Sequence, residues 1–234
     1  MFIETGKIVT KYEHYSINDV RKSSARELFT VVSTFAGGGG SSTGYRLAGG
    51  KVIAINEFVE EAIKTYSTII PGDIKKLNGK NFLEVANLEE GELDILDGSP
   101  PCSAFSVAGK REKNWKGAVH YESESYFDFD TGEMVNVGSV EVKSGVKKYS
   151  DDQVVEAIED LFLEFIRIAK DIKPKVIIAE NVKGITMGKA RDKLHQFQNE
   201  FEKIEPGYLV THHVLNAADY GVPQARPRFI LVGV

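Results

Sequence analysis

With 234 residues, 42% of them hydrophobic and 27% charged, the chain has the make-up of an ordinary globular protein, long enough for one large domain. No apolar run approaches the roughly 18 residues that a membrane-spanning helix needs. The opening MFIETGKIVTKYEHYS lacks the apolar centre of a secretory signal, so a reducing cytoplasm is the expected compartment. A single cysteine excludes an internal disulfide and a cysteine-rich zinc site, no metal is expected, and a net charge of −5 argues mildly against a free-standing nucleic-acid binder.

Residues 1–28 are polar and weakly periodic, which predicts a short edge element or a partly ordered lead-in before one catalytic domain over 29–234. From there apolar β-branched runs alternate with amphipathic stretches. Strands are predicted over 30–35, 51–56, 93–97, 175–179, 208–215 and 228–232, and helices over 42–47, 57–67, 151–172 and 189–204. That alternation is the pattern of an α/β fold with a mostly parallel sheet. Only a polar link over 216–224 joins the last two strands, so they are expected to pair antiparallel. Residues 109–150 differ in character. YFDFDTGEMVNV alternates around Asp130 and Gly132, and VEVKSGVKKY around Ser144 and Gly145, so one or two inserted β-hairpins are predicted. The chain ends on FILVGV, a strand fit for a core, which reads as a stop before the rest of a larger protein.

The first strand runs straight into Phe35-Ala36-Gly37-Gly38-Gly39-Gly40. Glycines allow positive φ and close backbone approach, so a strand, glycine turn and helix suit a nucleotide-like ligand, while a tight flexible turn is the plain alternative. No lysine follows, which separates it from a phosphate-gripping loop. Seventeen residues beyond Gly40, Glu57 closes the second strand, where a carboxylate can accept from both hydroxyls of a ribose or simply favour a helix N-terminus. Gly72-Asp73-Ile74 offers a second carboxylate, suited to an adenine amino group or to an ordinary turn. These features do not separate a dinucleotide from S-adenosylmethionine, and an oxidoreductase stays open.

After LDILD comes Gly98-Ser99-Pro100-Pro101-Cys102-Ser103-Ala104-Phe105-Ser106. Two prolines stiffen the backbone just past a strand end, holding the thiol where α/β sheets bind ligands. A buried structural cysteine has no need of them, and a nucleophile is preferred. Glu180 of Glu180-Asn181-Val182 ends another strand, and Gln224-Ala225-Arg226-Pro227-Arg228 opens the last one, with two arginines at i, i+2 spacing.

In the order FAGGGG, NEF, GDI, PPCSAFS, ENVKG and YGVPQARPR, the chain from about Val31 onward resembles the cytosine-C5 DNA methyltransferases. The resemblance implies a Rossmann-like fold, S-adenosyl-L-methionine as cofactor and double-stranded DNA as substrate. It also implies roles: Phe35, Ala36, Gly37 and Gly39 along the cofactor, Glu57 and Phe58 at the ribose end, Asp73 and Ile74 near the adenine, Pro101 and Leu161 beside them. Cys102 would be the nucleophile and Glu180 would face cytosine N3. Arg226 and Arg228 would hold the base carbonyl and the catalytic loop. The chemistry is consistent with these groups. Thiolate addition at C6 makes C5 nucleophilic. A carboxyl at N3 offsets the added electron density, provided burial keeps a proton on it. A duplex base must also be flipped out of the stack.

The stretch from Cys102 to Leu161 is longer than the family usually carries. Its Lys110, Arg111, Lys113, Lys116, Lys143, Lys147 and Lys148 are expected to meet the phosphate backbone or a partner chain, or to form a solvated hairpin. No target-recognition region is visible, so the chain alone is expected to be weak or inactive, and a second chain is an expected partner. A tRNA cytosine methyltransferase and a non-catalytic cofactor-binding subunit are the alternatives.

Overall fold

The computed structural model describes residues 15–101, 121–127, 134–141, 151–205 and 207–234. In chain order the strands are β1 (Thr30–Thr34), β2 (Lys51–Glu57), β3 (Ile69–Pro71), β4 (Ile95–Gly98), β5 (Tyr121–Phe127), β6 (Met134–Glu141), β7 (Val176–Val182), β8 (Val210–Asn216) and β9 (Pro227–Gly233). The helices are α1 (Ile17–Ser24), α2 (Gly40–Leu47), α3 (Glu60–Ile63), α4 (Gly79–Ala86), α5 (Asp151–Ile172) and α6 (Gly188–Glu202).

Seven strands form one sheet in the order β3-β2-β1-β4-β7-β9-β8. The pairs from β3 through to β7 are all parallel, and β9 runs antiparallel to both β7 and β8. The expected antiparallel pairing of the last two strands is therefore present. β1 is central and buried along nearly its whole length, as a strand covered on both faces should be.

Side chains alternate across the sheet. Val32 and Leu96 join a core cluster with Phe162, Phe165, Phe197 and Phe201 of α5 and α6. Phe162 stacks on Phe197 at 4.3 Å, and Phe165 meets Phe201 edge-on at 6.0 Å. Such contacts add about 0.5–1.5 kcal/mol each beyond area burial. Ser33 and Asp97, next to Val32 and Leu96 along their strands, face the opposite side, where α2 lies. α1 packs on α2.

Four elements, α1, α3, β3 and α4, differ from the sequence reading. The lead-in contains α1, held by a capping box between Ser16 and Asp19, with Val20 as its one buried residue. A helix that buries so little leaves almost no apolar period to read. The helix predicted over 57–67 is cut to α3, because β2 runs on through Glu57 and the backbone is still extended at Val59. Downstream, α4 starts from a second capping box, Asn78 with Asn81. In the insertion β5 pairs antiparallel with β6. Its turn at Asp130 and Gly132, and the second hairpin expected at Ser144 and Gly145, lie outside the described residues.

Candidate active site

The chain leaves β1 toward β2 and β3 on one side and returns through β4 and β7 on the other. Such a reversal opens a crevice beyond the carboxyl ends of the two middle strands, the usual ligand position in open α/β sheets. Here the middle strands are β1 and β4. The first feeds the glycine loop and the second feeds Pro100 and Pro101, so two motifs distant in sequence flank one crevice.

On the glycine side the backbone turns sharply. Phe35, Gly37 and Gly39 have φ of 53°, 52° and 89°, and Gly39 caps α2 without any side-chain hydrogen bond. Gly39 also lies under Tyr66, whose hydroxyl would stand 3.3 Å from an added Cβ. Around Gly37, Gly38 and Gly40 a Cβ would meet nothing within 4 Å among the described residues, so their backbone borders open space. Tyr66 donates to the Ala36 carbonyl at 3.1 Å, and burial pushes its hydroxyl above the ordinary tyrosine value.

Glu57 is only 6% exposed. One carboxylate oxygen accepts from the Phe58 and Val59 amides at 2.8 and 3.0 Å, the other from the Gly37 amide at 2.8 Å. The acid thus ties the end of β2 to the glycine loop, and the oxygen on Gly37 keeps further acceptor capacity. Phe58 is 64% exposed beside it. Asp73 caps the 3₁₀ turn Ile74–Lys76 through the Lys75 amide, and Ile74 itself is buried in the core. The turn is braced twice. Asn56 donates to the Ile70 and Gly72 carbonyls, and Arg167 of α5 donates to those of Ile74 and Leu77.

On the other side Pro100 is buried and Pro101 exposed. The Asn181 side chain, itself 1% exposed, donates to the Pro100 carbonyl at 3.2 Å. Next to it Glu180 pairs with Arg228 across the β7–β9 ladder, Oε1 to Nε at 2.8 Å, both side chains partly open to solvent. Arg226 stands just before β9 and is exposed, with its amide on the Asn216 side chain. Leu161 packs at the edge of the core cluster. Cys102 and the basic residues Lys110, Arg111, Lys113, Lys116, Lys143, Lys147 and Lys148 lie outside the described residues.

Between the two sides sits Asp97, 2% exposed, which sequence reasoning missed. It accepts from Ser33 Oγ at 2.7 Å and from the Tyr45 hydroxyl at 2.9 Å. Burial, with a smaller contribution from the Glu180 charge, raises its carboxyl from 3.8 to about 6 against the lowering effect of those hydrogen bonds. Burial and Asp97 together push the Tyr45 hydroxyl far above its ordinary range, which leaves it a permanent donor. The one signal in the sequence was an acid just before glycine in an otherwise apolar strand. Asn181, Tyr66 and Arg167 carried no signal of their own.

A mostly parallel seven-stranded sheet with the reversed β9, and a glycine loop at the switch point, define a Rossmann-like fold of the S-adenosylmethionine-dependent methyltransferase class. Two solved structures share it. A prophage-encoded E. coli chain superposes with TM-score 0.59 at 22% identity, over 88% of this chain and 46% of that one. The S. pombe Dnmt2 methyltransferase does so with TM-score 0.53 at 15% identity, over 88% and 49%.

The family model for C-5 cytosine-specific DNA methylase matches residues 29–120 and 144–234. Type II methyltransferase M.AquIA of Picosynechococcus sp. is 30% identical over 215 residues, 87% of this chain and 71% of that protein. M.FnuDI of Fusobacterium nucleatum is 31% identical over 87% of this chain and 46% of its own length, and M.Eco47II of Escherichia coli 30% over 90% and 40%. The chain belongs to the C-5 cytosine-specific DNA methylase family. It spans less than half the length of the last two relatives.

Proposed function

We propose that this chain carries the methyl-transfer machinery of a DNA (cytosine-5)-methyltransferase, using S-adenosyl-L-methionine and acting on cytosine in double-stranded DNA. The Glu180–Arg228 pair, set beside the Asn181-braced proline loop, is the observation that carries this reading. The crevice residues fit the cofactor: glycine backbone bordering open space, and a buried carboxylate at the end of β2 with capacity left for a ribose hydroxyl. Phe35, Ala36, Gly37 and Gly39 would line it, Glu57 and Phe58 would sit at the ribose end, Asp73 and Ile74 near the adenine, and Pro101 and Leu161 beside them.

When bound, the cofactor supplies a methyl group on a positively charged sulfur, an electrophile that unassisted cytosine C5 attacks slowly. Cys102 as thiolate adds to C6, its electron pair forming the S–C6 bond while the ring electrons shift toward N3. In the ligand-free chain Glu180 is partly open to solvent and ion-paired with Arg228. It takes up its proton as the bound base covers it and passes that proton to N3, which makes the electron density available at C5. Arg228 keeps Glu180 aimed, and the arginines stabilise charge at the O2 carbonyl by preorganised hydrogen bonds. Once C5 is alkylated and S-adenosylhomocysteine is released, a base takes the C5 proton, the C5–C6 double bond re-forms as the thiolate leaves, and the N3 proton returns to Glu180, restoring both Cys102 and Glu180. A reducing cytoplasm keeps that thiol free. Target reading falls to polypeptide outside these residues, a second chain being one source.

The test supplies methyl-labelled S-adenosylmethionine with mixed duplex DNA and tRNA, to the chain alone and together with any companion polypeptide. Label in DNA as 5-methylcytosine, lost in Cys102→Ser, is the expected result. Label confined to tRNA moves the substrate to RNA, and none in either reduces the chain to a cofactor-binding module.

A further inference from the structure

α2 packs on α1, β2 and β1, but no side chain caps its N-terminus. It starts from four consecutive glycines, 37–40, and its cap residue Gly39 makes no side-chain hydrogen bond. The strand beside it is the reverse. A Cβ on Gly98 would stand 2.6 Å from the Phe165 ring and 2.8 Å from Thr34 Oγ1, and Thr34 Oγ1 donates to the Asp97 carbonyl at 3.0 Å, so the end of β4 is wedged between α5 and β1. Asp97 sits on that fixed strand and reaches Ser33 of β1 and Tyr45 of α2. A leucine would fill the same space without directing α2. A buried carboxylate accepting from two hydroxyls on different elements gives direction, at the cost of desolvation.

We propose that Asp97 is a positioning residue that locks α2, and with it the glycine loop, to the strand feeding the proline–cysteine loop, so that the two sides of the cofactor crevice keep one setting. This rests on the reading of that crevice as the cofactor site. Tyr45 is the readout handle, since losing its hydroxyl breaks the link to α2 while the ring and the Ser33 bond stay.

Hydrogen exchange on the ligand-free protein and titration with S-adenosylhomocysteine test it in Tyr45→Phe, Asp97→Ala and Asp97→Asn. One lost hydrogen bond corresponds to about fivefold, so amides of α2 in Tyr45→Phe and Asp97→Ala should exchange about that much faster, with α5 and α6 unchanged. Their affinity for the probe should fall by about five- to tenfold. Asp97→Asn, which keeps an acceptor oxygen, should recover most of both. Exchange at α2 equal to the parent in Tyr45→Phe overturns the proposal, as does faster exchange spread evenly over α2, α5 and α6. Should Asp97→Ala fail to fold, Tyr45→Phe decides. A parent that does not bind the probe counts against the proposed function, while the exchange at α2 still decides the role of Asp97.

Discussion

Asp97 makes a quantitative statement about stability. Its carboxyl is raised in the folded protein, from 3.8 to about 6, with burial the largest cause. Between those values the folded state binds the proton more tightly than the unfolded chain, so this group favours folding below 3.8 and loses that contribution as pH climbs through 6. At about 1.4 kcal/mol per pH unit the full span is about 3 kcal/mol, of which about 2 falls between pH 4.5 and 7.5. Asp97→Asn has nothing to ionise there. In urea titrations at a series of pH values, the stability difference between variant and parent should move by about 2 kcal/mol in favour of the variant as pH rises across that range. Groups common to both proteins cancel. Glu180, which adds its charge to Asp97, is itself paired with Arg228 in both. Parallel pH profiles would refute the argument, since they would mean that the Asp97 carboxyl ionises as freely folded as unfolded.

Three further outcomes follow from the packing and the site. Gly98→Ala drives a methyl into the Phe165 ring and Thr34, so urea unfolding should show a loss of about 1–3 kcal/mol; an unchanged midpoint would mean that β4 is not wedged. Asn181→Ala leaves the Pro100 carbonyl without its side-chain partner; the turnover rate should fall at least about tenfold while S-adenosylhomocysteine affinity holds, because the loop on the base side loses its brace. Glu180→Gln should cut methyl transfer by about a hundredfold or more with probe affinity again unchanged, and near-parental activity would remove Glu180 from the proposed chemistry.

The parts of this fold that the sequence made legible are those with a strong period or rigid local chemistry. α5 was readable to the residue, because its apolar positions repeat at helical spacing for six turns. The six predicted strands were found within a few residues, and the glycine and proline loops could be placed at strand ends from the backbone demands of Gly and Pro alone. α1, α3, β3 and α4 were unclear for one shared reason. Each is short, and its apolar contacts come from elsewhere in the chain: Phe82 of α4 is buried in the core under α5, and Ile70 of β3 beside β2. The candidate site divides the same way. Residues proposed to meet a ligand sit in motifs, whereas Asn181, Tyr66 and Asp97 act on backbone or side chains thirty or more residues away, 81 for the first, 30 for the second at Ala36 and 64 for the third at Ser33.

The supporting polar groups form a sequence across the sheet. Glu57 ties β2 to the glycine loop, Tyr45 ties α2 to Asp97 on β4, β4 pairs with β7, and Asn181 on β7 reaches back to Pro100 at the end of β4. The Glu57, Tyr45 and Asn181 links are buried or half-buried side-chain hydrogen bonds, so each has a definite length and direction that apolar packing would not impose. Such an arrangement places the glycine-loop side and the proline-loop side of the crevice on one rigid frame. A ligand that orders the glycine loop then acts on a structure whose proline loop is already set. Energetic coupling between the two sides can pass through Asp97, through the β1–β4 ladder, or through α5, whose Arg167 holds the turn after β3 and whose Phe165 packs on Gly98, and it is reciprocal. For that reason Tyr45→Phe and Asn181→Ala should be non-additive in turnover rate, whereas either combined with a change on α6 should be additive.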